Sequence, residues 1–311
     1  YPDLAIMRVA VIFSMILLGA FTACKPAPDS SQSKPRIVAT TSILADGIKN
    51  LVGENAEVVA LMPAGVDPHL YKASVRDLDL LTNADLVVYH GLYLEGKMTE
   101  IFEKLTLTQS IIDVSQGVPQ DQLIRSGPEA HSVDPHIWFD INLWSKALMH
   151  ASSELAKWKP EWKSNIELNS ATYFKKLETL EQDTRTKVNE LKSKNQVLVT
   201  AHDAFAYFGK AYGLEVYSLQ GLSTLSEPGL RDLTELIQII QEHQVKAIFA
   251  EQTISPKALK AVANGAAEKN QKVQLAGPLY TDSLDAPETP AGTYLGMFAT
   301  NLNIIYQNLL P

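Results

Sequence analysis

The tripeptide Asp-Pro-His occurs twice in this chain, as Asp67-Pro68-His69 and Asp134-Pro135-His136. Neutral imidazole is a good ligand for divalent transition metals. A proline before the histidine stiffens its presentation, because the ring fixes its own φ and biases the preceding aspartate towards extended backbone. Each histidine therefore leaves a pre-set turn, and two such turns suggest one shared metal site. For either copy alone the competing interpretation is a solvated histidine after an ordinary Asp-Pro turn. Two further residues bear on the choice: His202, which follows the apolar run QVLVT, and Asp282, which follows the segment 273–280. Taken singly, His202 would be a loop or capping histidine and Asp282 an N-cap for the residues from Ser283 onwards.

The chain that must position these groups has 311 residues, 46% of them apolar, a formal net charge of -8 and a pI of about 5.4. It is long enough to bury a sizeable core, and its length alone suggests about two domains. The acidic balance leaves no electrostatic footprint for nucleic acid and mildly favours cations. Cys24 is the sole cysteine, so neither an internal disulfide nor a thiolate cluster can form. Arg8 and the apolar residues 9–23 before Cys24 have the pattern of a signal peptide over residues 1–24, with Met7 as a candidate translation start. Phe21-Thr22-Ala23-Cys24 resembles a bacterial lipobox, although phenylalanine stands where leucine is usual, and its thiol would take a diacylglyceryl group. Ordinary cleavage leaving a free thiol is the alternative. Residues 25–34, KPAPDSSQSK, form a polar tether that cannot build a core. After residue 24 no apolar run approaches the roughly 20 residues that span a bilayer.

From residue 35 the patterning alternates between strand and helix. Strands are predicted at 36–41, 56–62, 85–89 and 110–114, with a helix at 43–52 and another starting at Ser74, whose pairing with Asp77 has capping-box form. Across 159–194 runs the longest helical pattern, with Trp162, Ile166, Tyr173, Leu177, Leu180, Val188 and Leu191 on one face. At about 1.5 Å per residue it makes a rod close to about 50 Å, long enough to tie two lobes together, and Pro160 suits its first turn. Strands at 196–200, 214–218 and 247–250 follow, alternating with helices at 204–212, 227–244 and 255–269. The fold class is thus α/β: an N-terminal lobe at 35–158 and a C-terminal lobe at 195–311, each with a parallel sheet, joined by a backbone helix at 159–194.

In parallel βα layers ligands bind beyond the carboxyl ends of the strands. The loops there hold His69 and His136 in the first lobe and His202 and Asp282 in the second. The segments MPAGVDPHLY at 62–71, NADLVVYHGLYLE at 83–95, DPHIWFD at 134–140, TAHDAFAYFGKAYGLE at 200–215, LSTLSEP at 222–228 and LYTDSL at 279–284 resemble, in the same order, those of the metal-binding solute-binding proteins of bacterial ABC importers. These are the TroA-like proteins, bacterial solute-binding protein family 9, and the resemblance runs from about residue 36 to the C-terminus. It implies a metal in the cleft between the lobes, held by His69, His136, His202 and Asp282, the third position being histidine in some members and glutamate in others. It also implies capture of the ion outside the cytoplasmic membrane, in the periplasm or at the membrane's outer face. Delivery would be to an ABC permease powered by its ATPase, by a monomeric lipoprotein that is not an enzyme.

Three neutral imidazoles and one carboxylate leave a divalent ion with a net charge of about +1, tolerable in a partly dry cleft if neighbouring groups support the ligands. Asp67, Asp134 and Glu251 are candidates for that support, against exposed-turn or salt-bridge roles. His90 ends a strand and could border the cleft, with an ordinary hydrogen-bonded role as the alternative. His150 and His243 fall in helical patterns, and His131 lies in a loop. Residues 116–133 contain only that histidine, so the His-rich loop of many dedicated zinc binders in this family is absent. A metallohydrolase would keep an open coordination position and a nearby base, commonly on H-E-x-x-H, a motif the chain lacks. A surface adhesin with a structural metal remains an alternative. The absence of thiolate or thioether donors at the site argues against Cu(I), and the imidazoles against Mg²⁺ and Ca²⁺. Manganese, with zinc also bound, is preferred; dedicated Zn²⁺ or Fe²⁺ uptake are the alternatives.

Overall fold

A computed structural model describes residues 34–126, 132–194 and 196–310. Cys24, the tether up to residue 33, and His131 lie outside the described residues. The first sheet contains β1 (Arg36–Thr41), β2 (Glu57–Met62), β3 (Leu86–Tyr89) and β4 (Ile111–Asp113), all parallel, in the order β2-β1-β3-β4. A short antiparallel pair, β5 (Arg125–Ser126) with β6 (Ser132–Val133), precedes the second Asp-Pro-His turn. The second sheet contains β7 (Val197–His202), β8 (Glu215–Gln220), β9 (Ala247–Glu251) and β10 (Gln274–Leu279), also parallel, in the order β8-β7-β9-β10. The two lobes thus share one strand order, reversing at β1 and at β7.

The helices follow their local chemistry. After β1, the hydroxyl of Thr41 accepts the Leu44 N–H at 3.1 Å and starts α1 (Ser42–Val52). Ser74 and Asp77 form the predicted capping box of α2 (Val75–Thr82). Next comes α3 (Thr99–Leu105), then α4 (Ile141–Trp158), whose first N–H groups are accepted by the Asp140 carboxylate. Lys159 breaks out of helical geometry, Pro160–Trp162 makes a 3₁₀ turn, and the long helix α5 runs over Lys163–Ser193. Its 31 residues measure about 46 Å at about 1.5 Å per residue. Beyond it lie α6 (Ala206–Tyr212), α7 (Leu230–Glu242), α8 (Lys257–Glu268) and α9 (Tyr294–Leu309). No helix among the described residues is long and apolar enough to cross a membrane.

Alternation along the strands decides where each sheet packs. In β1, Ile37 and Ala39 face the main core while Val38 joins a smaller cluster under α2 and α3 with Leu81 and Phe102. In β7, Leu198 faces the main core while Val197 and Val199 join a cluster under α7 and α8 with Leu236 and Val262. The main core is shared: Trp144 and Leu148 of α4, Tyr173 and Leu177 of α5 and Phe298 of α9 belong to one cluster with strand residues of both sheets. Along α5 the first half meets the first lobe, where Asn169 donates to the Leu51 carbonyl, and the second half meets α9, where Lys187 and Glu190 bond Asn303 and Tyr306. A continuous core of this kind resists wide separation of the lobes.

Candidate metal centre

The centre is best built from the second lobe outward. β7 is the strand at which the sheet order reverses, and His202 is its last residue, still paired in register with Gln220. The predicted strand stops at Thr200; it continues because Glu251, at the end of adjacent β9, satisfies the strand terminus. One Glu251 oxygen accepts the N–H groups of Ala201 and His202 at 2.8 and 2.9 Å. The other holds His202 Nδ1 and accepts the Thr281 hydroxyl at 3.0 Å. Asp282 stands just beyond β10 and is buried.

The two Asp-Pro-His turns use their aspartates differently. Asp134 Oδ1 accepts the His136 N–H at 2.9 Å and lies 2.7 Å from His136 Nδ1, so one carboxylate fixes both the turn and the ring. Asp67 Oδ1 accepts the backbone N–H groups of His69 and Leu70, while its other oxygen accepts the Thr224 hydroxyl at 2.6 Å. Asp67 thus sets the turn without touching the imidazole ring.

All four candidate ligand residues are buried and converge. His136 Nε2 lies 3.3 Å from His69 Nε2, 3.3 Å from His202 Nε2 and 3.4 Å from Asp282 Oδ1. His202 Nε2 lies 3.5 Å from Asp282 Oδ2, and the four donor atoms are all within 4.8 Å of one another. Metal–ligand bonds of about 2.0–2.2 Å in a tetrahedral shell put the donors about 3.3–3.6 Å apart, so these spacings fit an ion at the centre. With Asp134 and Glu251 on the Nδ1 sides, neutral His136 and His202 point Nε2 lone pairs at each other. Neither oxygen of Asp282 has a hydrogen-bond partner beyond these imidazole nitrogens. Such a concentration of buried acceptors calls for a cation. Because Asp282 turns a different oxygen to each of two histidines, it can supply one donor or two, which suits four- or five-fold coordination.

Without a metal, protons take the cation's part. Burial opposes a charged His136, but the charges of Asp134 and Asp282 and their hydrogen bonds outweigh it and hold the group up at about 9. His202 is also pushed down by burial, yet Glu251 and Asp282 raise it well above the ordinary histidine value. Asp282 is disfavoured by burial but held well below its ordinary value, first by His202 and then by His136. His69 is lowered to about 3, chiefly by burial, against the attraction of Asp282. A metal must therefore displace protons from His136 and His202, so its affinity falls as pH falls. Affinity should therefore weaken steadily as pH falls from neutrality towards about 5. Competition titrations against a chelator of known pH dependence check this; constant affinity from pH 8 to 5 would exclude the histidines as ligands.

His90 stays outside the donor set, in keeping with its hydrogen-bonded alternative. Its buried ring donates from Nε2 to the Pro135 carbonyl at 2.7 Å and packs edge-on to Trp138, and Glu95 accepts its backbone N–H. His150 is half-buried on α4, and His243, at the end of α7, faces the Tyr217 hydroxyl.

The turn carrying His136 is anchored to the second lobe, although the chain places it before α5. Trp138 Nε1 donates to the Thr281 carbonyl at 2.9 Å, the Tyr294 hydroxyl donates to the Trp138 carbonyl at 2.7 Å, and the Tyr207 hydroxyl donates to the Asp134 carbonyl at 2.9 Å. Phe139 stacks on Phe205. Sequence order divides the four residues two and two between lobes; the His136 turn, bonded to the first lobe through His90, also has three hydrogen bonds to the second, whereas the His69 loop reaches the second lobe through Asp67 and Gly65.

Two parallel lobes of like strand order, tied by one long helix and closing on a buried cation-suited cleft, define a two-lobed solute receptor. The chain belongs to the family of zinc-uptake complex component A, periplasmic, whose model matches residues 37–308. It is 41% identical to the manganese-binding lipoprotein MntA of Bacillus subtilis (strain 168), over 97% of this chain and 98% of the relative. It is 37% identical to the zinc-binding protein TroA of Treponema pallidum (strain Nichols), over 95% of this chain and 96% of the relative. The solved structure of the periplasmic zinc-binding protein TroA from Treponema pallidum superposes with a TM-score of 0.86 at 38% identity, covering 90% of this chain and all of that one (100%). A Mn-bound periplasmic metal-binding protein from Candidatus Liberibacter asiaticus gives a TM-score of 0.78 at 25% identity, over 89% of this chain and 100% of the other.

Proposed function

We propose that this protein captures a divalent transition metal outside the cytoplasmic membrane through His69, His136, His202 and Asp282 and delivers it to an ABC permease. The observation that carries the proposal is the spacing of four buried donor atoms, with N–N and N–O separations of 3.3 to 3.5 Å and no other partner for either Asp282 oxygen. The ion is cargo. The protein contributes a dehydrating shell, three imidazoles of which two are held by carboxylates, and a cleft that shuts water out. The partner ATPase supplies the energy of transport, and this chain performs no chemistry of its own.

Manganese is the preferred cargo, with zinc also bound. Supporting this are a relative of 41% identity that is named for manganese, the lack of a His-rich loop in residues 116–133, and the second oxygen that Asp282 can add to the shell. The Irving–Williams order makes such a site hold Zn²⁺ more tightly than Mn²⁺ in vitro, so affinity alone does not identify the cargo. Deleting the gene and restoring growth with single metals does. Rescue by manganese is expected; rescue by zinc alone would make zinc the cargo and leave the transport role standing.

The protein works as a monomer anchored by a lipid on Cys24. The lipobox-like residues 21–24 and the lipoprotein name of the MntA relative support the anchor. Mass spectrometry of the membrane fraction tests it, an unmodified soluble species being the contrary result; light scattering tests the monomer, a stable dimer being the contrary result.

A further inference from the structure

The segment LSTLSEP at 222–228 supplies none of the four donors, yet it reaches the site. Thr224 lies on the second lobe between β8 and α7, and its hydroxyl crosses the cleft to the free oxygen of Asp67, two residues before His69, at 2.6 Å. We infer that Thr224 is a positioning residue whose hydrogen bond to Asp67 latches His69 into the metal shell, so that His69 is the last ligand to engage and the first to leave. The inference rests on the proposed capture of a metal by the four residues.

Three features support the latch. The His136 turn is bonded to the first lobe by His90 and also held to the second by Trp138, Tyr207 and Tyr294, so His136, His202 and Asp282 form a standing three-ligand half-site. The His69 loop instead packs against the first lobe, with Val66 and Tyr71 on the cluster under α2 and α3 and the Leu70 carbonyl accepting from Lys97. Its polar links to the second lobe are the Asp67 bond and one from the Gly65 N–H to Ser283 Oγ at 2.7 Å. Beside the latch lies a cavity of about 290 Å³, lined by Asp67, Leu70, Ala201, Thr224 and Glu227. It joins the latch to the strand residue next to His202, and its lining also includes Lys257. Releasing Thr224 frees the His69 loop on the side where that cavity stands.

The test uses Co²⁺ bound to the full chain and stopped-flow transfer to excess chelator. A hydrogen bond to a carboxylate contributes enough that Thr224→Val should raise the dissociation rate about tenfold or more. The cobalt absorption spectrum at saturation should stay that of the wild type, since all four ligands remain. Thr224→Ser should restore the rate to within about twofold. Ser223→Ala, which removes a hydroxyl that accepts from the Leu225 N–H within the same loop, should leave the rate alone. A Thr224→Val rate equal to wild type, or a serine variant as fast as the valine one, would overturn the latch while leaving capture intact. A wild-type protein that takes up no cobalt would overturn the capture reading and the latch with it.

Discussion

Replacing His202 or His136 by alanine is expected to abolish metal binding at micromolar protein, a loss of at least about a thousandfold in affinity. Removing only a supporting partner of a metal-bound histidine typically costs about 10–100-fold, and removing the ligand itself costs more. Both histidines belong to the standing half-site, and each lies within 3.5 Å of an Asp282 oxygen. Losing either also strips that buried carboxylate of a counter-charge, so the variant keeps an uncompensated acid in the cleft. His69→Ala should weaken binding less than either, because the three-ligand half-site survives and water can take the fourth position. Isothermal titration with Zn²⁺ and Mn²⁺ ranks the three. If His69→Ala and His202→Ala both kept wild-type affinity, the donor set would be wrong.

Glu251→Gln is the second large effect, with an expected loss of about 10–100-fold in affinity and no ligand touched. The carboxylate accepts from His202 Nδ1 and so turns the Nε2 lone pair to the ion. An amide can present its NH₂ group there and favour the opposite tautomer. Glu251→Ala goes further: the Ala201 and His202 N–H groups and the Thr281 hydroxyl lose their acceptor. Each buried group left unsatisfied costs about 1–3 kcal/mol, so the metal-free alanine variant should also melt lower. Asp134→Asn should resemble Glu251→Gln, whereas Asp67→Asn should act on the His69 loop. Calorimetry and thermal unfolding of metal-free protein separate these outcomes. Wild-type affinity in Glu251→Gln would mean that the ring orientation does not depend on this carboxylate.

The alternation of strands and helices was legible from residue 35 onward because parallel strands buried on both faces form short apolar runs, as in Ile37 to Ala39 and Leu86 to Val88. The four converging residues were legible for a related reason: each stands where a strand or turn delivers the chain to one edge, and Asp-Pro-His repeats. Less of the long-range structure was. His202 looked like a loop residue two positions past its strand because Glu251, which completes that strand's end, is 49 residues away. Identical tripeptides do not announce that Asp134 grips its histidine ring while Asp67 spends its free oxygen on Thr224. The anchoring of the His136 turn by Tyr207, Thr281 and Tyr294 spans 73 to 156 residues and leaves no local periodicity. On α5 the buried face includes Ser170 and Thr184, whose hydroxyls bond Ser152 and the Leu180 carbonyl, while Trp162 and Leu180 are only partly buried. An apolar stripe misses such polar core positions. Of α4 the sequence shows only a helical pattern at His150, without bounds, and of α9 nothing, although Trp144, Leu148 and Phe298 of these helices help to join the two lobes.

Anomalous diffraction from crystals of the Mn²⁺- or Zn²⁺-loaded protein, collected at the metal's absorption edge, tests the central claim most directly. A single peak is expected between the two lobes, about 2.0–2.2 Å from Nε2 of His69, His136 and His202 and from at least one oxygen of Asp282. A peak elsewhere on the protein, or a metal held without His202 and Asp282, would contradict it.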